Sequence, residues 1–253
     1  MGARGIVRVQ RDKSLLLSTI IFDTLVWSSD PINSNNFYLN PDYWDDHIRT
    51  SGVPFVDSLW NHVVQITNGS SEDRQPLPAE SKEIEDAFTL TLALGYPHKK
   101  EGITDLVKHQ RSFTAYCKTI QSNLNFYPSK GPSDVPLQDP LANPYYFTEP
   151  LFKLANRKFA ITKSGRFGIV PTFSQPGDTC CICPGMKVPL ILRPREDKRF
   201  HLVGESYIHG VMNGEVMEQL DLGRVKLEHI IIVWVRIWIV LRRISKRVHS
   251  LHF

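Results

Sequence analysis

The chain has 253 residues, of which 42% are hydrophobic and 22% charged, and this composition excludes a protein that is disordered throughout. The formal net charge is +4, but residues 224–253 alone carry +6 and residues 1–223 carry −2. A nearly neutral body disfavours a nucleic-acid partner, because binding to nucleic acid requires several phosphate contacts. Cysteine is scarce and no signal peptide is recognisable at the N-terminus, so we expect a cytoplasmic protein.

Residues 1–145 are predicted to form a mainly helical region. The apolar stretch 14–27 suits either a helix or a buried strand. Helical periodicity follows over residues 56–66, 84–94 and 104–126. Its apolar stripes comprise Val56, Leu59, Trp60, Val63 and Ile66, and then Leu106, Val107, Phe113, Tyr116, Ile120 and Leu124. Five prolines within residues 127–144 predict a domain boundary there.

Residues 146–220 are predicted to form a small five-stranded antiparallel barrel-like module. After a short helix over about 146–156, the hydrophobic period changes from that of a helix to that of a strand. Short extended runs, separated by turn residues, cover residues 158–162, 167–170, 180–183, 188–192 and 200–211. Pro189 interrupts one run and predicts an edge strand or a bulge. The predicted fold class is therefore α+β, with a basic apolar tail over residues 221–253.

Four motifs in this module occur in a characteristic order. They are R-x-F-x-I-T-x-x-G-x-x-G (157–168), P-G-D (176–178), V-P-x-I-L-R-P (188–194) and L-V-G-E-x-Y-x-H-G-x-M-x-G-E (202–215). Together they resemble the C-terminal region of fungal heterokaryon-incompatibility (HET-domain) proteins. The N-terminal HET domain itself, which opens close to Y-x-A-L-S-Y-x-W-G, has no counterpart in this sequence. The resemblance implies an accessory region involved in non-self recognition, and we expect a truncated or degenerate paralogue.

The last motif supplies the candidate site residues, with either a structural or a binding role. They are Gly204, Glu205, Tyr207, His209, Gly210, Gly214 and Glu215. On an extended strand Glu205, Tyr207 and His209 share one face, where a carboxylate and an imidazole could exchange protons. We favour glycines at turns or bulges, with Tyr207 and His209 making hydrogen bonds within the barrel. No catalytic residue is assigned, and we expect neither enzymatic activity nor a cofactor.

A zinc site is the other chemistry that the sequence raises. Cys180, Cys181 and Cys183 lie close together, but structural zinc sites space two cysteines by two to four residues. On a strand, Cys180 faces one side while Cys181 and Cys183 face the other. We therefore expect buried core cysteines and no metal.

The tail is apolar over residues 230–241 except for Arg236, and a basic cluster follows it. This run is shorter than the ~20 residues of a bilayer span, so the sequence favours contact with an anionic membrane surface over a transmembrane helix. The membrane-contact candidates are Trp234, Arg236, Trp238, Arg242, Arg243, Lys246 and Arg247. A strand or helix packed on the body is the alternative.

Two functions follow from the sequence as a whole: a non-enzymatic interaction module for an unidentified protein partner, or a protein docked on a membrane through its tail.

Overall fold

The computed structural model describes residues 7–43, 54–68, 82–95, 106–126 and 142–233. Within these residues the helices are α1 (Phe55–Asn68), α2 (Lys82–Leu92), α3 (Leu106–Phe126), α4 (Pro144–Leu151) and α5 (Glu215–Asp221). The strands are β1 (Val7–Val9), β2 (Leu15–Ser28), β3 (Arg157–Thr162), β4 (Phe167–Pro171), β5 (Thr179–Ile182), β6 (Leu190–Pro194), β7 (Phe200–Glu205), β8 (Tyr207–Ile208) and β9 (Glu228–Val233). The predicted α+β class is confirmed.

Five strands pair into a closed ring. The order runs β2, β5, β6, β7 and β9, and β9 pairs again with β2. The prediction of a purely antiparallel module is wrong at one point, because β7 and β9 are parallel, with Phe200 opposite Ile232. The ring also takes β2 and β9 from outside residues 146–220.

The interior of the ring is filled by alternate residues of its strands, as the two-residue period of a strand requires. Phe200 and Leu202 of β7 pack against this interior and are partly buried. The buried hydrophobic side chains of this interior are Leu17, Cys181, Cys183, Leu190, Leu192, Ile230 and Ile232.

Strand β2 connects the ring to a second sheet. It pairs with β9 through residues 15–19, with β5 through 20–24 and with β3 through 25–28. The register shifts after Ile21 and again after Leu25. Such bulges bend a strand and increase its twist, which lets one long strand belong to two differently oriented sheets. Of the two structures that the sequence allowed for residues 14–27, the strand is the one formed.

Strands β3, β4 and β8 form the second sheet together with the end of β2. The runs at 158–162 and 167–170 are therefore strands, as predicted, but they lie outside the ring. One face of this sheet, with Phe159 and Ile169, packs on the helices. The other face, with Ala160 and Val170, packs on the outside of the ring and on α5. The sheet is thus the layer between helices and ring.

The N-terminal region is helical only in part, since residues 7–28 contribute β1 and β2. The stripe predicted for α1 is confirmed, with Val56, Leu59 and Val63 buried. In α3 Val107 is 58% exposed, so its assignment to the apolar stripe is wrong.

The start of the predicted tail packs on the body. Ile230 and Ile232 of β9 lie inside the ring, which is the alternative considered for this segment. All seven membrane-contact candidates, Trp234 to Arg247, lie outside the described residues. Among the helices that the structure describes, none is both long and apolar enough to cross a bilayer.

Candidate functional site

The motif at 202–215 lies where the chain leaves the ring and enters the second sheet. The run predicted as one strand is split at Ser206, whose backbone N–H and hydroxyl both donate to the carbonyl of Pro189, at 2.9 and 3.2 Å. Strand β7 ends before this residue and β8 begins after it, pairing with β4. The motif therefore forms a crossing between two layers of the fold.

A glycine and an arginine fix this crossing. Gly204 has a φ of +153°, and a Cβ placed on it would lie 2.8 Å from Cγ of Pro171. A larger side chain would therefore push β4 away from β7. The Arg157 Nη1 group donates to the carbonyl of Glu205 at 2.8 Å. Two residues of the recognised motifs thus position the backbone at this crossing.

Tyr207 and His209, which the sequence places on one strand face, do lie together, but at β8 of the second sheet and not in the ring. The Tyr207 hydroxyl lies 3.2 Å from His209 Nδ1, and the backbone N–H of His209 donates to the Phe167 carbonyl at 2.9 Å. Gly95, just after α2, lies against the tyrosine ring, since a Cβ there would be 2.8 Å from the hydroxyl oxygen. The sequence indicated Gly95 only as a helix terminator, and its role as the surface beneath Tyr207 was missed.

Burial lowers the pKa of His209, while the nearby Glu215 carboxylate acts in the opposite direction. Glu215 in turn accepts hydrogen bonds from Asn213, from the backbone N–H at 2.7 Å and from Nδ2 at 3.3 Å. Gly210 and Gly214 adopt positive φ angles in the turn before α5, as expected of turn glycines. The arrangement holds a neutral imidazole beside a phenol, which favours a fixed hydrogen-bonded pair.

The P-G-D and V-P-x-I-L-R-P motifs meet in an ion pair that sequence reasoning missed. Asp178 is buried and accepts from Arg193 Nε at 2.8 Å and from Nη2 at 2.9 Å. The same Nη2 donates to the Phe173 carbonyl at 2.6 Å, and the Gln175 backbone N–H donates to the Asp178 carboxylate at 2.9 Å. The presence of both residues in the recognised motifs was the signal that could have identified this pair. It joins the turn before β5 to the end of β6.

The cysteines are buried on the two faces that the sequence predicts. Cys180 packs on the outside of the ring, and Cys181 and Cys183 lie inside it. Across the described part of the chain, no three His, Cys, Asp or Glu side chains gather as a metal site would require.

A cluster of partly exposed aromatic rings lies beside the helical layer, and no pattern in the sequence indicated it. Tyr38, Tyr43 and Phe152, which we call the aromatic patch, are 39%, 57% and 36% exposed. The Tyr38 ring centroid lies 4.9 Å from that of Tyr43 and 5.1 Å from that of Phe152. Two residues distant in sequence from Phe152 thus join it in one surface.

Comparison with known proteins assigns the family. The model of the Het-6 beta-barrel domain matches residues 94–223, just over half of the chain. The chain belongs to this family. Heterokaryon incompatibility protein 6, OR allele, of Neurospora crassa is 34% identical over 64 residues, which cover 24% of this chain and 9% of that protein. No solved structure matches the chain.

These findings confirm the resemblance to fungal heterokaryon-incompatibility proteins. The part shared with the Het-6 beta-barrel domain begins at Leu94, next to the glycine beneath Tyr207, and includes β3 to β8. It contains three of the five ring strands, while β2 and β9 lie outside it. In this chain, segments on either side of the matched region complete the ring.

Proposed function

We propose that this chain is a non-enzymatic interaction module, an accessory region of a heterokaryon-incompatibility-like protein, which binds a protein partner in the cytoplasm. The aromatic patch is the observation that carries the proposal. Tyrosine and phenylalanine are enriched at protein interfaces, where rigid rings bury a large area with little loss of conformational entropy. Adjacent exposed rings are more typical of a contact surface than of a solvated loop.

The residues shared with the family support the same function. Gly204 permits the crossing between layers, and Asp178 with Arg193 ties two turns together. Tyr207 and His209 bond to each other on the sheet that carries the helices. These roles build a rigid body, and a rigid body keeps a preformed contact surface at low entropic cost.

Site-specific photo-crosslinking tests the proposal. A benzophenone amino acid replaces Tyr43 in the full chain, expressed in a filamentous fungus, and the adducts are identified after irradiation. We expect a defined protein adduct that disappears when Phe152 is also changed to Ser. Phe173, which is 79% exposed in the turn before β5, is the matched control position. Identical adducts from positions 43 and 173, or none from position 43, would contradict the proposal.

The absence of enzymatic activity is tested separately. We expect the purified chain to hydrolyse neither nicotinamide nor adenine nucleotides, because His209 is engaged by Tyr207 in a fixed pair. Turnover that is lost in Glu205→Gln or His209→Gln, with the fold retained, would show that the site is catalytic.

A membrane surface is the second candidate partner, and the sequence after β9 favours it. Arg242, Arg243, Lys246 and Arg247 follow an apolar run, and each basic residue near an anionic surface contributes about 1 kcal/mol. Changing all four to Gln should then abolish binding of the full chain to phosphatidylserine vesicles. Lys187→Gln with Lys198→Gln, on the exposed surface of the body, is the control. Equal binding by both variants would exclude docking through the tail.

A further inference from the structure

The hairpin formed by β1 and β2 carries an exposed row of apolar side chains. Val7 lies opposite Leu17 and Val9 lies opposite Leu15, and residues that face each other across a strand pair share one face of the sheet. Leu17 is buried inside the ring, and Leu15 packs against the same interior. Val7 and Val9 are nevertheless 67% and 68% exposed. The apolar face of the ring interior thus continues onto β1, where both valines remain in contact with solvent.

Basic side chains accompany this row. Arg8 lies between the two valines on the opposite face of the strand, and Arg11 and Lys13 lie in the turn that follows. All three are exposed, and none of them takes part in the ion pairs found among the described residues. Residues 7–13 therefore hold three basic groups and one acidic group, whereas residues 1–223 as a whole carry −2.

The turn of the hairpin is held by its own hydrogen bonds. The Gln10 backbone N–H donates to the Ser14 carbonyl at 2.8 Å, and that of Lys13 donates to the Gln10 carbonyl at 3.0 Å. The Asp12 carboxylate accepts from the Ser14 backbone N–H at 3.0 Å and from its hydroxyl at 2.6 Å. The acidic group of the hairpin is therefore engaged within the turn. Arg11 and Lys13 are presented to solvent on a preformed loop.

The basic tail of the sequence begins beside this hairpin. Strand β2 lies between β1 and β9, and its Leu15 faces Val9 on one side and Ile232 on the other. Neighbouring strands are about 4.8 Å apart, so the Ile232 backbone lies about 10 Å from that of Val9. The basic residues that follow β9 in the sequence are thus connected to the body next to a second basic segment.

We propose that the β1–β2 hairpin is a membrane-contact element, in which Val7 and Val9 enter the headgroup region of an anionic bilayer while Arg8, Arg11 and Lys13 bind lipid phosphates. This inference rests on the membrane candidate proposed above and adds a contact on the described body. Apolar side chains beside basic ones suit such a surface, because apolar burial and attraction to anionic headgroups act together. One weak signal gives only marginal membrane binding, so the tail and the hairpin act as two parts of one docking surface.

Sedimentation of the full chain with vesicles of phosphatidylcholine and phosphatidylserine tests the hairpin. Changing Arg8, Arg11 and Lys13 together to Gln should weaken binding about 100-fold, because each basic residue contributes to attraction at the surface. Changing Val7 and Val9 together to Ser should weaken it about tenfold through lost apolar burial. Added salt should narrow the first difference and leave the second, since salt screens exposed charges but does not weaken apolar burial.

Each hairpin variant has a matched control. Lys118, Lys153 and Lys163 changed together to Gln remove the same charge, and these exposed lysines lie on the helical layer and the second sheet. Phe173→Ser removes an apolar side chain that is 79% exposed. Both controls should bind vesicles as the wild type does. Near-ultraviolet circular dichroism establishes that every variant is folded.

The outcomes separate this proposal from docking through the tail. Binding equal to the wild type in both hairpin variants would overturn the proposal and leave tail docking in place, and it is also the result expected if the valines contact a protein instead. Equal weakening by the lysine control would overturn it too, because net charge alone would then explain the loss. Weakening in the hairpin variants, together with unchanged binding after replacement of the four tail residues, would support the hairpin and exclude the tail. A wild type that binds no vesicles would overturn both.

Discussion

The ring and the helical layer are packed with different kinds of side chain. The seven buried hydrophobic residues of the ring interior are leucines, isoleucines and cysteines. The core between helices and sheet is built on large rings, with Phe37, Phe88, Phe147 and Phe159 fully buried. A ring of five strands leaves a narrow interior that small and aliphatic side chains fill, whereas helices on a sheet leave room for aromatic rings.

The two regions also differ in the sequence separation of the helices or strands that pack together. Helices α3 and α4 are neighbours in sequence and pack through Phe147, whose ring lies about 5 Å from those of Phe113 and Tyr116. The ring is closed by β2 and β9, at opposite ends of the described chain. Its stability therefore depends on pairing between strands that are distant in sequence.

Ile232→Asp should have the largest effect. Ile232 is 2% exposed and packs inside the ring in a cluster of leucine, isoleucine and cysteine side chains, so burying a carboxylate there should cost more than about 4 kcal/mol in the free energy of unfolding. Urea denaturation measures it. Ile231→Asp, on the opposite face of β9, is the control and should cost much less. Equal losses would mean that β9 does not close the ring.

Phe147→Ala tests the aromatic core of the helical layer. Phe147 is fully buried, and its loss should remove about 3–5 kcal/mol of stability. Phe152→Ala, at a ring that is 36% exposed, is the control. Urea denaturation compares the two variants. A smaller loss of unfolding free energy in Phe147→Ala than in Phe152→Ala would contradict an aromatic core built around Phe147.

Asp178→Asn tests the ion pair between the two motif turns. The variant loses the charge that Arg193 contacts at two oxygens, and we expect a loss of about 2 kcal/mol. Asp197→Asn removes an exposed carboxylate between Arg195 and Arg199, where solvent screens the charges, and should cost less than Asp178→Asn. If the two variants are equally stable, the Asp178 pair does not contribute to the fold.

Replacing His209 should have the smallest effect on the free energy of unfolding, and only at acidic pH. Its pKa is lower when folded than the ordinary value of 6.5, so the unfolded chain takes up the proton first. Its neutral form thus contributes stability above pH 6.5, and this contribution is lost as the pH falls through the lowered pKa. His209→Gln should flatten the decrease in stability below pH 6.5 more than His201→Gln does, because burial also lowers the pKa of His201 but His201 is the less deeply buried of the two. Denaturation at a series of pH values measures this, and identical slopes would contradict it.

Local patterns in the sequence predicted most of the elements but not their assembly. Helical periodicity identified α1 because Val56, Leu59 and Val63 face one core. Strand alternation placed Cys180 opposite Cys181 and Cys183 correctly. Neither pattern could show that residues 14–27 and 228–233 pair with each other, since pairing at that distance depends on closing the whole ring.

For the candidate site, too, the sequence predicted what happens within one segment but not the contacts between separate segments. The contact between Tyr207 and His209 follows from strand alternation within one motif. Gly95 beneath Tyr207 and the Asp178–Arg193 pair join separate segments, so only the folded chain shows them. The aromatic patch likewise combines Phe152 with residues more than a hundred positions earlier.

Nuclear Overhauser contacts in the labelled full chain test the closed ring most directly. The structure predicts backbone contacts between Leu17 and Ile230, across the antiparallel β2–β9 pair, together with contacts between Phe200 and Ile232, across the parallel β7–β9 pair. Both sets observed in one folded sample would establish closure. The first set without the second would describe an open sheet and contradict the closed ring.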